Sequence, residues 1–156
     1  MTYPRQEVRD FLADHFELVR VSLADREPEA RSLIRRYRTL WSPGFVLLDH
    51  RGTELRRFMG YQPPADFIAE LRVGLGKVHL MHRNVDAAFD HFRQVADMEP
   101  PAPVSAEALY WSGIAVFHRD KKPVDWLRDY WSELGRRFPE SRWWTHADVW
   151  DKGEDD

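Results

Sequence analysis

The run Trp41-Ser42-Pro43-Gly44-Phe45-Val46-Leu47-Leu48-Asp49 limits what this chain can fold into more than any other stretch. A proline-led turn drops directly into consecutive apolar residues with the composition of a strand. Phe45 to Leu48 shows no polar alternation, which predicts a central strand covered on both faces. Asp49-His50-Arg51-Gly52 supplies turn chemistry into Glu54 to Met59, the second arm of a hairpin. The arginines of that arm place it at a sheet edge. Gly60-Tyr61-Gln62 follows, and a helix opens at Pro63-Pro64, with Phe67, Ile68 and Leu71 as its apolar stripe and Pro64 tolerated in its first turn.

Upstream of this stretch, Val8, Phe11, Leu12 and Phe16 form one apolar stripe and predict a short helix over 5–15. From Phe16 to Leu23 the pattern alternates, with Val19, Val21 and Leu23 on one face, and predicts a strand closed by Ala24-Asp25-Arg26-Glu27-Pro28. Over 29–40, Leu33, Ile34, Tyr37 and Leu40 recur at helical spacing among arginines. That predicts an amphipathic helix whose basic face is solvated, since no glycine loop gathers the guanidiniums into an anion site.

From Gly74 the character changes to helices punctuated by prolines. Gly74-Leu75-Gly76-Lys77 reads as a hinge. Lys77 to His82 and Val85 to Met98 predict an antiparallel helix pair turning at Arg83-Asn84, with Asn84 as N-cap. Glu99-Pro100-Pro101-Ala102-Pro103 forms a stiff linker. A second pair is predicted over 105–118 and 124–138, and a short final helix over 141–150. All seven tryptophans read as core or joint residues, and five of them lie between Trp111 and Trp144. The tail, 151–156, is acidic.

Several chemistries are excluded. The chain has no cysteine, hence no thiolate nucleophile, disulfide or cysteine metal site. A net charge of -3 with mixed signs speaks against a nucleic-acid partner. No apolar run reaches the ~20 residues that cross a bilayer, so no membrane partner is expected and the expected location is cytoplasmic. His79, His82, His91 and His118 lack a carboxylate at fixed spacing to complete a metal site. Ser42 has no His or Asp placed to activate it, and no phosphate loop or dinucleotide motif occurs. Neither a cofactor, a metal nor a catalytic residue is assigned.

The order helix, strand, helix, Pro-led strand, hairpin strand, Gly-aromatic corner and helix resembles the thioredoxin-like fold from its second helix onward. The residues that carry the likeness are Val19-Arg20-Val21-Ser22-Leu23-Ala24-Asp25, then Trp41-Ser42-Pro43 at the place of the family's cis-proline, then Gly52 and Gly60-Tyr61. The two downstream helix pairs resemble tetratricopeptide repeats in Asn84-Val85-Asp86-Ala87-Ala88, Ala108-Leu109-Tyr110-Trp111-Ser112-Gly113-Ile114-Ala115 and Phe138-Pro139-Glu140-Ser141. The expected fold is therefore α/β, with a partial thioredoxin-like sheet lacking its first strand over 1–73, a helical segment over 74–150 and the tail.

The resemblance implies a cis Ser42-Pro43 bond. It also implies a surface at Trp41, Ser42, Pro43, Gly60 and Tyr61 on which an extended protein or peptide partner can pair. Without the family's Cys-x-x-Cys, a redox-inactive interaction module is expected, with a homodimer through an exposed sheet edge as a further partnership. The alternative is a thiol-disulfide oxidoreductase whose Cys-x-x-Cys lies upstream of an incorrectly assigned start. The intact mass of the protein from its own source separates the two.

Overall fold

The computed structural model describes residues 5–148, and the predicted acidic tail lies outside them, as do the last residues of the final predicted helix. The described residues form seven helices and one two-stranded antiparallel sheet. The chain divides into two compact units, Met1–Ile68 and Ala69–Asp156.

The first unit holds α1 (Gln6–His15), α2 (Pro28–Arg36), β1 (Gly44–Leu48), β2 (Glu54–Met59) and the start of α3 (Pro64–Met81). Asp49 closes the hairpin: its Oδ1 accepts the backbone N–H of Arg51 and of Thr53, each at 2.8 Å, while Gly52 N–H donates to the Asp49 carbonyl. The backbone N–H of Thr53, with that of Arg51, holds the Asp49 carboxyl below the usual carboxylate range. Phe45 stacks on Phe58 at 4.8 Å between ring centres, and Phe67 from α3 meets both edge-on at 5.0 and 5.7 Å. This aromatic triad docks the helix start onto one face of the hairpin. On β2, Arg57 pairs with Glu54 at 2.7 Å.

Three expectations for this unit need correction. Residues 16–23 are extended but join no ladder, and Leu18, Val19 and Leu23 are exposed. Alternation specifies an extended backbone, whereas a strand also needs a neighbour to satisfy its N–H and C=O groups. β1 is not covered on both faces: Leu47 is its one buried residue, and β2 is its sole strand neighbour among the described residues. A short apolar run carries no periodicity from which coverage can be read. α2 stops at Arg36 rather than Leu40, because Arg38 takes a positive φ of 48° that a helix cannot accommodate.

In the second unit α3 continues into α4 (Val85–Ala96), α5 (Ser105–Asp120), α6 (Val124–Arg137) and α7 (Arg142–Asp148). The expected hinge at 74–77 is continuous helix. Gly76 is there for proximity, since a Cβ at that position would lie 2.5 Å from Phe92 Cε1. α5 is buried nearly all round and packs against α4, α6 and α7, as a helix apolar on every side should. Its buried Ser105, Glu107 and Ser112 are satisfied, whereas the buried indole N–H of Trp111 has no hydrogen-bond partner among the described residues. Ser105 Oγ donates to the Val95 carbonyl and accepts the Ala102 N–H, each at 2.9 Å, which ties down the proline loop. Glu107 receives Lys77 Nζ at 2.6 Å, and Ser112 meets the Tyr130 hydroxyl at 3.0 Å. Asn84 occupies the N-cap position of α4 without capping it; its amide lies 3.5 Å from His79 Nδ1 instead.

A charge network joins α4 to α6. Arg93 binds Asp97 at 2.6 Å and Glu133 at 3.4 Å, while Arg137 binds Glu133 at 2.8 Å and the Ala96 carbonyl at 2.5 Å. Burial pushes the Glu133 carboxyl up, but the hydrogen bond from Arg137 and the charge of Arg93 outweigh it and leave the group below its ordinary range. A lowered folded-state pKa gives stability that is present above the ordinary glutamate range and is lost as pH falls through the folded value. Glu133→Gln should therefore destabilise the protein at neutral pH, by about 1 kcal/mol at most for so accessible a network. The gap from wild type should narrow in urea titrations near about pH 4. An equal gap at both pH values would show that the carboxylate charge contributes nothing.

Candidate functional site

The five residues singled out in the sequence form one contiguous surface. Gly60 N–H donates to the Pro43 carbonyl at 2.9 Å, which brings the segment 41–43 beside 60–61 at the open end of the hairpin. Gly44 pairs with Met59 in register, and Phe45 with Phe58. The Ser42–Pro43 peptide bond is cis. Gly60 turns the chain out of β2 with φ at 87°, a conformation that disfavours any residue with a Cβ, although the space around it is open.

Exposure distinguishes this surface. Trp41 is 69% exposed and Tyr61 64% exposed, and their sequence neighbours Leu40 and Met59 are 85% and 55% exposed. Trp41 is thus not the expected core residue, and it stands apart from Trp111, Trp126, Trp131, Trp143 and Trp144, which lie in or against the core of the helical unit. Leu40 and Met59 were not legible as site residues. Leu40 fits a helical apolar stripe and Met59 ends a strand, and only the early stop of α2 and the two-stranded sheet leave them uncovered.

The register shows what the backbone offers. Because Pro43 and Gly60 share a hydrogen bond, the pairs Phe45/Phe58 and Leu47/Arg56 are the hydrogen-bonded ones. Gly44 and Val46 therefore direct their N–H and C=O away from β2, and among the described residues no hydrogen bond reaches them. The surface is a short open strand edge preceded in the chain by the exposed Trp41, with the exposed Tyr61 beyond the end of the paired strand β2. It carries hydrogen-bonding and apolar groups but no general acid, base or nucleophile arranged for a reaction. His79 and His91, considered as metal ligands from their spacing, stack face to face at 5.3 Å in the helical unit, with Arg72 3.5 Å from His91 Nδ1.

No helix among the described residues is long and apolar enough to cross a membrane. No protein-family model, curated protein or solved structure matches this chain.

Proposed function

We propose that this chain is a redox-silent thioredoxin-like module followed by a tetratricopeptide-like helical segment, and that it acts as a protein-interaction adaptor. An extended peptide segment of the partner adds to β1 beside Ser42 and Pro43. Its backbone pairs with Gly44 and Val46, and its side chains rest on Trp41 and Tyr61. The observation that carries this reading is the unpaired edge of β1 at Gly44 and Val46, with Trp41 exposed just before it in the chain and Tyr61 exposed beyond the end of β2. Main-chain pairing supplies affinity without demanding one sequence, and pockets or rings along the edge supply selectivity. Homodimerisation through the same edge is the competing use of that surface.

The test is selection of binding peptides from a random library on the full chain, followed by amide chemical-shift mapping. Shifts should concentrate at Ser42, Gly44, Val46 and Tyr61, and Trp41→Ala should weaken binding about tenfold or more, as expected for an aromatic anchor worth ~2 kcal/mol. Selected peptides that map elsewhere, or a library that yields none, would end the adaptor reading.

A further inference from the structure

A second concave site lies in the first unit, away from the strand edge in sequence and independent of the peptide reading. The loop after the extended segment and the exposed face of α2 border an open groove of about 380 Å³, lined by Leu23, Ala24, Asp25, Arg26, Arg31, Ile34 and Arg35. That volume lies within the range of small-molecule sites. Leu23 and Ile34 give it apolar wall, and three guanidiniums line the remainder.

Arg57, Arg93, Arg119 and Arg137 are each paired to a carboxylate, and Arg36 lies over the ring of Tyr37. Among the described residues Arg26, Arg31 and Arg35 have no ion-pair partner. The one carboxylate in the lining, Asp25, accepts the backbone N–H of Glu27 at 3.0 Å. Arg31 and Arg35 stand four residues apart on one helical face, a like-charge spacing that costs a helix about 0.2–0.5 kcal/mol. α2 is poorly placed to bear that cost, with no buried residue and no side-chain cap. Arg26, Arg31 and Arg35 are exposed, and with Leu23 and Ile34 they line one concavity.

We propose that this groove binds a phosphate monoester carried on a small apolar body. Three cations against one carboxylate leave two positive charges, which match the charge of about -1.5 to -2 on a phosphate monoester near neutral pH. Guanidinium forks fit phosphate oxygens in pairs, and Leu23 and Ile34 receive the organic part. A free metabolite and the side chain of a phosphotyrosine both present this chemistry.

Phenyl phosphate titrated into the full chain should give saturable shifts of the Leu23 and Ile34 methyl groups, weakened by added salt. Arg31→Gln and Arg35→Gln should each weaken binding at least about tenfold, the loss of one charge-assisted hydrogen bond. Both variants should melt no lower than wild type, because each removes a like-charge pair; a purely structural arginine would give the opposite sign. A capped phosphotyrosine peptide binding tighter than phenyl phosphate identifies a protein ligand, and equal affinity identifies a free small molecule. The proposal is overturned if phenyl phosphate gives no saturable shift at millimolar concentration, if inorganic phosphate and phenol reproduce its effect separately, or if both variants bind as wild type does.

Discussion

Trp131→Ala should lower the unfolding free energy by about 4 kcal/mol, the upper part of the range for a large buried side chain cut to a methyl. Against a total of roughly 5–15 kcal/mol for a domain, that is a quarter or more of the whole, and at the lower end of the range it leaves only about 1 kcal/mol. Trp131 is 3% exposed, and its ring lies flat on Tyr110 with centres 4.6 Å apart and planes 6° from parallel. Its indole N–H donates to the Tyr110 carbonyl at 3.1 Å, and its ring edge fills the space that a Cβ at Gly113 would take. Area, stacking and the hydrogen bond are lost together, and Gly113 has no side chain to refill the void. Trp131→Phe keeps most of the volume and should lose about half as much. Urea unfolding followed by far-ultraviolet circular dichroism measures both, and an alanine variant within about 1 kcal/mol of wild type would mean that α5 and α6 close over the gap.

The second large effect is a contest of signs at Gly76. Replacing a helical glycine by alanine ordinarily stabilises by about 1 kcal/mol. Here the new Cβ would stand 2.5, 2.7 and 2.8 Å from three atoms of the Phe92 ring, and Phe92 is fully buried. Overpacking a rigid core costs about 1–3 kcal/mol, so Gly76→Ala should be destabilising by about 1–2 kcal/mol net. Phe92→Leu alone should also destabilise, yet the pair should be less harmful than the two changes summed. A coupling of about 1 kcal/mol or more in that double-mutant cycle is the expected outcome. A Gly76→Ala variant more stable than wild type would show that α4 yields to the added methyl.

Much of the architecture was legible where a periodic pattern runs long. The helices α1, α4, α5 and α6 begin and end within a few residues of the positions read from their apolar spacing, and β2 is Glu54–Met59 as its turn signals indicated. The failures share a physical cause. Whether 16–23 becomes a strand, whether β1 is covered, and whether Gly74 and Gly76 bend a helix are all decided by what stands next to those residues in space. Alternation, apolarity and glycine report only what each residue permits. The surface at Trp41, Ser42, Pro43, Gly60 and Tyr61 could be located from its turn residues. Its exposure could not, because an aromatic residue beside a proline reads equally well as core. The basic face of α2 was legible as charge but not as a groove, since the opposite wall is the loop at 23–26, which lies outside the helix and whose path no periodic pattern specifies.

The two strands of the hairpin differ in a way that bears on assembly. β2 carries Glu54, Arg56 and Arg57, side chains that discourage another strand from joining its outer side, whereas β1 is glycine and aliphatic or aromatic residues throughout. A molecule with one receptive edge and one guarded edge cannot propagate. Two copies meeting edge to edge through β1 would be related by a two-fold axis and would consume the receptive edge of both. The same asymmetry caps any complex with a foreign strand at one added segment, so the hairpin favours closed pairs over fibres.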